Sequence, residues 1–165
     1  MSNQKDFTRI GVVSDTHLPE AGSLPLKLLG ELGQVDVIIH LGDFCVMEAY
    51  KDLQKIAPVV AVQGNMDCPE LKALLPEKKK IEIQGYNLGL IHGWGPPKNL
   101  EQRVAKAFPD VDIVLFGHSH KPLATHIGEV FVFNPGSPTM NMDSSGTMGI
   151  LELGETISHH IIRLD

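Results

Sequence analysis

The sequence has few of the features that mark secreted or membrane-spanning proteins. It contains only two cysteines, Cys45 and Cys68, which are too few for a disulfide framework, and no apolar segment precedes Phe7. We therefore expect a reducing, cytoplasmic location. No apolar run approaches the roughly 18 residues that a membrane span requires, so we also expect no interaction with a membrane.

Basic charge is also scarce. The 14 lysines and arginines are outnumbered by 20 acidic residues, for a formal net charge of −6, and the only basic run is Lys78-Lys79-Lys80, which we interpret as a solvated loop or strand start. Nucleic acids are bound through wide basic surfaces, so no nucleic-acid polymer is expected as a partner. A small phosphate ester remains compatible with this charge, because bound metal ions can supply local positive charge.

The rest of the composition is that of a globular protein. The chain has 165 residues, of which 42% are hydrophobic and 21% are charged. This length is enough to bury one core without disulfides, and no linker, repeat or low-complexity stretch divides it. We expect residues 1–165 to form one domain, and a homo-oligomer is compatible with the composition.

Apolar runs alternate with amphipathic stretches over the first two thirds of the chain, as in α/β proteins. The first helix is predicted between Ser23 as N-cap and Gly33 as its stop, and Pro97 is predicted to open the last one. Strands are predicted at 9–13, 35–40, 58–62, 80–84, 87–91 and 111–116, and helices at 23–33, 46–57, 70–75 and 97–108.

Beyond His120 the helical pattern stops. Four short strands are predicted at 124–127, 130–133, 147–153 and 156–164, separated by the turn-rich segments 134–138 and 142–146. Short strands joined by such turns favour antiparallel pairing in a second sheet. The predicted fold class is therefore α/β (α+β), with two packed mixed β-sheets flanked by helices.

Polar side chains with metal-binding atoms follow the predicted strands. The clearest case is the pair His118 and His120, directly after the apolar run 111–116. A strand that is apolar on both faces is buried in its sheet, and α/β proteins place their chemistry at the carboxyl ends of such strands. The full set comprises Asp15, His17, Asp43, Asn65, His92, His118 and His120.

Three oxygen donors and four imidazoles are too many ligands for a single ion. A mixed nitrogen and oxygen set suits first-row divalent metals such as Mn, Fe, Ni, Co or Zn. Two ions about 3.5–4 Å apart hold the attacking and leaving oxygens of phosphoryl transfer. The sequence therefore predicts two divalent metal ions as cofactors, with their identity open among these elements.

The order of these motifs resembles the calcineurin-like metallophosphoesterase superfamily. The resemblance spans about residues 9–138. The small size and the segment 134–137 are similar to the compact bacterial and archaeal phosphodiesterase branch, which also includes the scaffold subunit of retromer. The motifs are Asp15-Thr16-His17, Gly42-Asp43, Gly64-Asn65, His92-Gly93 and Gly117-His118-Ser119-His120.

The resemblance implies an αββα sandwich and a role for each motif residue. Asp43 would bridge the two ions, and Asp43, Asn65 and His118 would take part in catalysis. The implied reaction is attack of a metal-bridging hydroxide on a small phosphate diester. One ion would be held by Asp15, His17 and His120, and the other by Asn65, His92 and His118.

Two positions depart from the pattern of many relatives. Met66 stands where they carry a histidine that donates a proton or hydrogen bond near the leaving group, and Trp94 stands where they carry a second histidine after His92. A thioether cannot donate a proton. We therefore expect activity to favour esters with good leaving groups or to depend on another proton donor, and a protein phosphatase is disfavoured.

Several neighbours of the motifs have more than one interpretation. His40 is either a supporting hydrogen-bond donor beside the site or an ordinary strand-end histidine. Asp67 is interpreted as orienting its neighbours by hydrogen bonds. Trp94 either walls the substrate pocket or packs beneath the turn that follows it. Cys45 and Cys68 are interpreted as small apolar side chains or a soft edge of the site, not as nucleophiles.

The rival to an enzyme is a protein-binding scaffold with the same fold, because Met66 removes one expected catalytic group. The intact set of candidate ligands favours catalysis, since a scaffold has no need of all of them. A nuclease is disfavoured by the acidic charge and by the lack of an extension that would contact DNA.

Overall fold

In a computed structural model that describes residues 5–139 and 145–165, the strands form two five-stranded sheets. The elements are β1 (Thr8–Val13), α1 (Leu26–Leu32), β2 (Val37–His40), α2 (Met47–Gln54), β3 (Val59–Ala61), α3 (Pro69–Leu74), β4 (Lys78–Ile83), β5 (Tyr86–Ile91), α4 (Leu100–Lys106), β6 (Ile113–Leu115), β7 (Leu123–Ile127), β8 (Val130–Asn134), β9 (Thr147–Leu153) and β10 (Ile157–Arg163). Part of the predicted turn at 142–146 lies outside the described residues.

Both sheets are mixed. The first has the strand order β10-β9-β1-β2-β3, and the second has the order β4-β5-β6-β8-β7. Strands β1, β2 and β3 are parallel to one another, as are β5, β6 and β8. Because the carboxyl ends of parallel strands meet at one edge, each sheet brings together the loops that follow three of its strands.

The two sheets pack face to face, and the helices cover their outer faces. Ile10 and Val12 of β1 pack in the cluster between the sheets with Leu115 of β6, whereas Val13 packs on the other side with Leu28 of α1. This division follows from the two-residue side-chain period of a strand. Helix α4 packs against the outer face of the second sheet. The predicted fold, two packed mixed sheets flanked by helices, is confirmed.

The prediction for the late strands was wrong in its pairing. Strands β7 and β8 belong to the second sheet, but β9 and β10 belong to the first, where β9 is antiparallel to β1. Nearly all of β9 is buried. This burial is explained by its position between β10 and β1, where both faces of the sheet are covered, because an edge strand would be more exposed.

Two helices start later than predicted. Ser23 is not the N-cap of α1: Pro25 precedes the helix in an extended conformation, and no side chain caps it. Pro97 forms a turn with Leu100, and Asn99 then adopts a left-handed conformation, so α4 begins only at Leu100. Gly33 ends α1 as predicted, with its N–H donating to Leu29 O at 3.0 Å.

The lysine run is on the surface. Lys78, Lys79 and Lys80 form the start of β4, and all three are exposed. Within residues 5–139 and 145–165, the structure has no helix with the length and apolar character needed to cross a bilayer.

Candidate metal centre

Loops from the two sheets meet at one edge of the sandwich and are joined by backbone hydrogen bonds. Asp15 N donates to Gly42 O at 2.9 Å and His17 N donates to Asp43 O at 3.0 Å, which joins the loops after β1 and β2. Gly117 N donates to His92 O at 2.9 Å, which joins the loops after β6 and β5. His118 N donates to Asp15 Oδ2 at 3.0 Å, which links the loops of the two sheets, so the strand ends of both sheets supply side chains to a single site.

One group of potential metal ligands comprises Asp15, His17 and His120. Asp15 Oδ1 lies 3.3 Å from His120 Nε2 and 3.6 Å from His17 Nε2. The two imidazole nitrogens are 3.2 Å apart. One carboxylate oxygen and two ring nitrogens thus point at a common volume.

A second group comprises Asp15, Asp43 and His92, all buried. Asp43 Oδ2 lies 3.3 Å from His92 Nε2 and 3.4 Å from His17 Nε2. Asp43 therefore lies between a histidine of the first group and the histidine of the second. Asp15 belongs to both groups, because its Oδ1 is also 3.7 Å from His92 Nε2.

The residues present fit divalent cations. Among the described residues, neither Asp15 Oδ1 nor His92 Nε2 has a hydrogen-bond partner, although both atoms are buried. Buried polar atoms without partners are costly. His92 Nδ1 donates to Leu41 O at 2.7 Å, which leaves a lone pair on Nε2 directed at the site, as for histidines that bind metals.

Electrostatics stabilise the charged forms of these groups. Burial raises the pKa of Asp15, but the imidazoles of His120 and His17 lower that pKa further, so its net shift is downward. Burial likewise opposes ionisation of Asp43, yet His92 beside it lowers the Asp43 pKa. Asp15 in turn raises the pKa of His120. Both carboxylates are therefore ionised at neutral pH and available to a cation.

Asp67 orients the loops after β2 and β3. Its Oδ2 accepts hydrogen bonds from Asp43 N at 3.0 Å and Gly64 N at 2.7 Å, and its Oδ1 accepts one from Cys45 N at 2.9 Å. The side chain is buried. This agrees with an orienting role and sets the backbone position of Asp43.

Glycines in two of the motifs allow the loops to approach closely. A Cβ on Gly64 would lie 2.5 Å from Asp43 N and closer still to its Oδ1. A Cβ on Gly117 would lie 2.6 Å from Asp15 Oδ2 and closer still to Ser14 Oγ. Real side-chain carbons do not approach other atoms this closely, so the site requires the small residue at both positions.

Strained backbone is concentrated at the site. Six of its non-glycine residues have φ between 42° and 74°: Asp15, His17, Asp43, Cys45, His118 and His120. Non-glycine residues rarely adopt this left-handed region, and such strain clusters at functional sites. The segment 118–120 is therefore not a continuation of the extended strand β6.

His118 and His120 nevertheless reach different sides of the site. The His120 ring lies 5.0 Å from the His17 ring, and the His118 ring lies 5.2 Å from the His92 ring, both edge to face. His118 Nε2 donates to Gly95 O at 2.9 Å, so only its Nδ1 keeps a lone pair for a metal. His118 is not part of either ligand group.

The other predicted site residues lie around this cluster. Asn65 is exposed and lines a groove with His92 and Trp94. Met66 is 57% exposed, and its N–H donates to Asp43 Oδ1 at 2.8 Å. Trp94 is 49% exposed in the groove wall, which favours the interpretation as a wall of the pocket.

His40 supports the loop that carries Asp43. Its Nδ1 accepts a hydrogen bond from Gly42 N at 3.1 Å, its Nε2 lies 3.3 Å from Thr16 Oγ1, and its ring stacks on Phe44 at 3.5 Å. Burial lowers the pKa of His40 to about 3. A neutral imidazole with both nitrogens engaged holds Gly42 in place and does not exchange protons at neutral pH.

Supporting residues at the end of β8 and just after it had not been predicted from the sequence. Asn134 is buried and donates to Gly117 O and Ser119 Oγ, each at 3.1 Å. Ser137 donates to Asp15 O at 2.8 Å. The sequence predicted a turn at 134–138. The proximity of this segment to the site depends on the pairing of β8 with β6, which the sequence did not indicate.

Cys45 lies at the edge of the site, which was one of its two interpretations. Its Sγ lies 3.5 Å from His17 Nδ1, the ring nitrogen remote from the ligand group. Burial and the nearby Asp43 carboxylate raise the pKa of the Cys45 thiol to about 11. The thiol is therefore protonated at neutral pH, which is consistent with the interpretation that it is not a nucleophile.

Comparisons with known proteins agree with the motif analysis. A family model described as the calcineurin-like phosphoesterase superfamily domain matches residues 8–156. A probable metallophosphoesterase from Methanothermobacter thermautotrophicus is 33% identical over 158 residues, which cover 93% of this chain and 91% of that protein.

Solved structures have the same architecture. The structure of a novel archaeal phosphodiesterase has a TM-score of 0.74 and 25% identity, covering 94% of this chain and 99% of that one. Vps29 from Entamoeba histolytica, complexed with Zn²⁺, has a TM-score of 0.67 and 24% identity, covering 95% of this chain and 99% of that one. The second likeness concerns the fold alone.

Proposed function

Because this chain belongs to the calcineurin-like phosphoesterase superfamily, we propose that it is a phosphodiesterase that hydrolyses small organic phosphate esters with two divalent metal ions. One observation carries the proposal. Asp15 Oδ1 and His92 Nε2 are buried potential metal-ligand atoms without hydrogen-bond partners among the described residues, and they lie 3.7 Å apart within one of the two ligand groups. The similarity to an archaeal phosphodiesterase supports the same reaction class.

The presence of two overlapping ligand groups supports our proposal of two ions. Asp15, His17 and His120 would hold one ion, and Asp43 and His92, which form the second group together with Asp15, would hold the other. We propose Asn65 or His118 Nδ1 as a further ligand of the second ion. Asp43 would bridge the two ions, because its Oδ2 lies within 3.4 Å of a histidine from each group. Manganese, nickel, cobalt, iron and zinc all suit this mixed donor set.

Bound divalent ions would lower the pKa of water and neutralise phosphoryl charge. The protein's contribution is to hold the ligands in place before substrate arrives. Asp67 and His40 fix the loop of Asp43, and Asn134 and Ser137 fix the loops of His118 and Asp15. The left-handed backbone at the ligands is maintained by these hydrogen bonds.

Position 66 carries a methionine and not a histidine, so no imidazole is present there to protonate the leaving group. An alcohol that leaves as an unprotonated alkoxide is a poor leaving group, whereas a phenolate leaves readily. We therefore propose a preference for esters of acidic alcohols. The acidic net charge of −6 disfavours polymeric nucleic acid as the substrate, and we propose that the enzyme acts on small esters in the cytoplasm.

The proposal predicts strict dependence on added metal. After chelation, hydrolysis of bis-p-nitrophenyl phosphate should fall to background and should return on addition of Mn²⁺, Ni²⁺, Co²⁺ or Zn²⁺. Initial rates should favour this diester over p-nitrophenyl phosphate by about tenfold or more, because a monoester carries an additional negative charge. Turnover that persists after chelation, or none with any of these metals, would contradict the proposal.

A protein-binding scaffold is the second candidate function. It is motivated by the likeness of the fold to Vps29 and by Met66 at the acid position. Complete metal binding without turnover of any diester in the assay above would favour the scaffold. The buried and unpartnered donor atoms favour catalysis, because a scaffold gains nothing from leaving them unpaired.

A further inference from the structure

A groove of about 500 Å³ adjoins the metal centre and shares Asn65 and His92 with it. Its volume lies within the range of about 300–1,000 Å³ that is typical of sites for small ligands. The metal chemistry requires only the phosphate group of a substrate. The groove is therefore available to the organic part of the ester, and its side chains indicate which organic groups it accepts.

Trp94 forms one wall of the groove and is the only tryptophan in the chain. Its side chain is 49% exposed, although most large apolar residues of this protein are buried. Packing does not account for an indole that remains half in water beside a cluster of charged ligands. Exposed apolar surface at a concave site is typical of ligand binding.

The loop that carries Trp94 is held from both sides. Arg103 donates to Trp94 O at 2.7 Å and to Lys98 O at 2.8 Å, and its guanidinium carbon lies 6.0 Å from the centre of the indole ring. On the other side, His118 Nε2 donates to Gly95 O at 2.9 Å. The indole is therefore placed in advance, at a fixed position relative to a histidine of the site.

Much of the remaining lining of the groove is polar. Lys72 and Glu77 are both exposed there, and Lys72 Nζ donates to Asn65 O at 3.0 Å. The side chain of Gln63 donates to Lys72 O and Leu75 O, which fixes the end of α3 that carries the lysine. The groove thus presents one strong donor and one strong acceptor in addition to an aromatic ring.

A groove lined by an aromatic ring, a donor and an acceptor is complementary to a planar ring with polar edges. A simple alkyl group would leave Lys72 and Glu77 without partners, and a second phosphate would meet the carboxylate of Glu77. A heteroaromatic ring can stack on the indole and present its own donors and acceptors to the polar lining.

We propose that this groove binds a heteroaromatic ring of nucleobase size, so that the substrates are phosphodiesters in which a nucleoside-like group remains on the phosphate while a more acidic alcohol leaves. The identification of the substrate class rests on the proposed phosphodiesterase function. Ring binding itself does not depend on turnover and is measured separately.

Because Trp94 is the only tryptophan, its fluorescence reports occupancy of the groove directly. Zinc-loaded protein is titrated with adenosine 5′-monophosphate and with ribose 5-phosphate, which has the same phosphate and sugar but no base. The adenine nucleotide should quench the fluorescence saturably and, by calorimetry, should bind roughly tenfold more tightly than ribose 5-phosphate.

Variants identify the source of this preference. By calorimetry, Trp94→Phe should retain most of the roughly tenfold preference, whereas Trp94→Ala should bring the two affinities together. Phe7→Ala, which removes another partly exposed aromatic ring (38% exposed) outside the groove, should leave the preference intact. Equal affinities in the wild-type protein, or a preference that survives Trp94→Ala, would overturn the proposal.

The two proposals fail separately. Hydrolysis of simple aryl diesters without any preference for the adenine ligand would overturn the ring subsite and leave the phosphodiesterase function intact. Quenching by the adenine ligand in a protein that hydrolyses no diester would overturn the phosphodiesterase function and support the ring subsite.

Discussion

Replacing Asp43 with asparagine is expected to reduce diesterase activity by about 10³-fold or more, in line with the loss of a charged ligand from a metal centre. Asp43 Oδ2 lies 3.3 Å from His92 Nε2 and 3.4 Å from His17 Nε2, so its charge serves both ligand groups. Asparagine has nearly the same shape and retains an oxygen for the hydrogen bond from Met66 N. The loss should therefore come from weaker metal binding and not from misfolding.

The measurement for Asp43→Asn combines initial rates on bis-p-nitrophenyl phosphate with metal content after dialysis. Asp52→Asn is the matched control, because it also removes an aspartate charge, at a surface position on α2 where the carboxylate accepts a hydrogen bond from Lys55. The control should match the wild-type protein in both measurements. Activity of Asp43→Asn within about tenfold of the wild type would contradict a bridging role.

Replacing Met66 with histidine is expected to increase hydrolysis of alkyl diesters by about 100-fold, the lower end of what a positioned general acid contributes. The backbone N–H of Met66 donates to Asp43 Oδ1, and the side chain is 57% exposed. An imidazole at this position adjoins the bridging carboxylate and requires no repacking of the core. Esters of p-nitrophenol should gain little, because their leaving group does not need a proton.

Met66→Gln is the matched control for this gain. Glutamine is polar and similar in length but does not act as a general acid near neutral pH, so it should leave alkyl diester hydrolysis close to the wild-type rate. Rates are compared for methyl and p-nitrophenyl diesters across a range of pH around the ordinary imidazole pKa of about 6.5. Equal rates for the histidine and glutamine variants on alkyl esters would mean that leaving-group protonation does not limit turnover.

The strands and the positions of the ligands along the chain could be predicted because local patterns encode them. The apolar run at 111–116 predicted a strand followed by His118 and His120, and β6 lies within that run, at Ile113–Leu115. Asp15, Asp43 and His92 likewise follow β1, β2 and β5. A buried strand needs apolar residues on both faces, so its ends are marked where polar residues begin.

The pairing of the strands and the contacts between residues distant in sequence could not be predicted from local patterns. The sequence of the antiparallel hairpin of β9 and β10 is compatible with either sheet. Only long-range packing determines that it joins the first sheet. The contact of Asn134 with Gly117 O depends on β8 lying beside β6. The left-handed backbone at His118 and His120 is imposed by surrounding loops, against local preference.

The most direct measurement is the number and position of ions in crystals grown with Mn²⁺ or Zn²⁺, located by anomalous scattering. We expect two peaks about 3.5–4 Å apart, one next to Asp15, His17 and His120 and the other next to Asp43 and His92. Asp43 should contact both. A single peak, or ions bound elsewhere while this cluster stays empty, would contradict a two-metal centre bridged by Asp43.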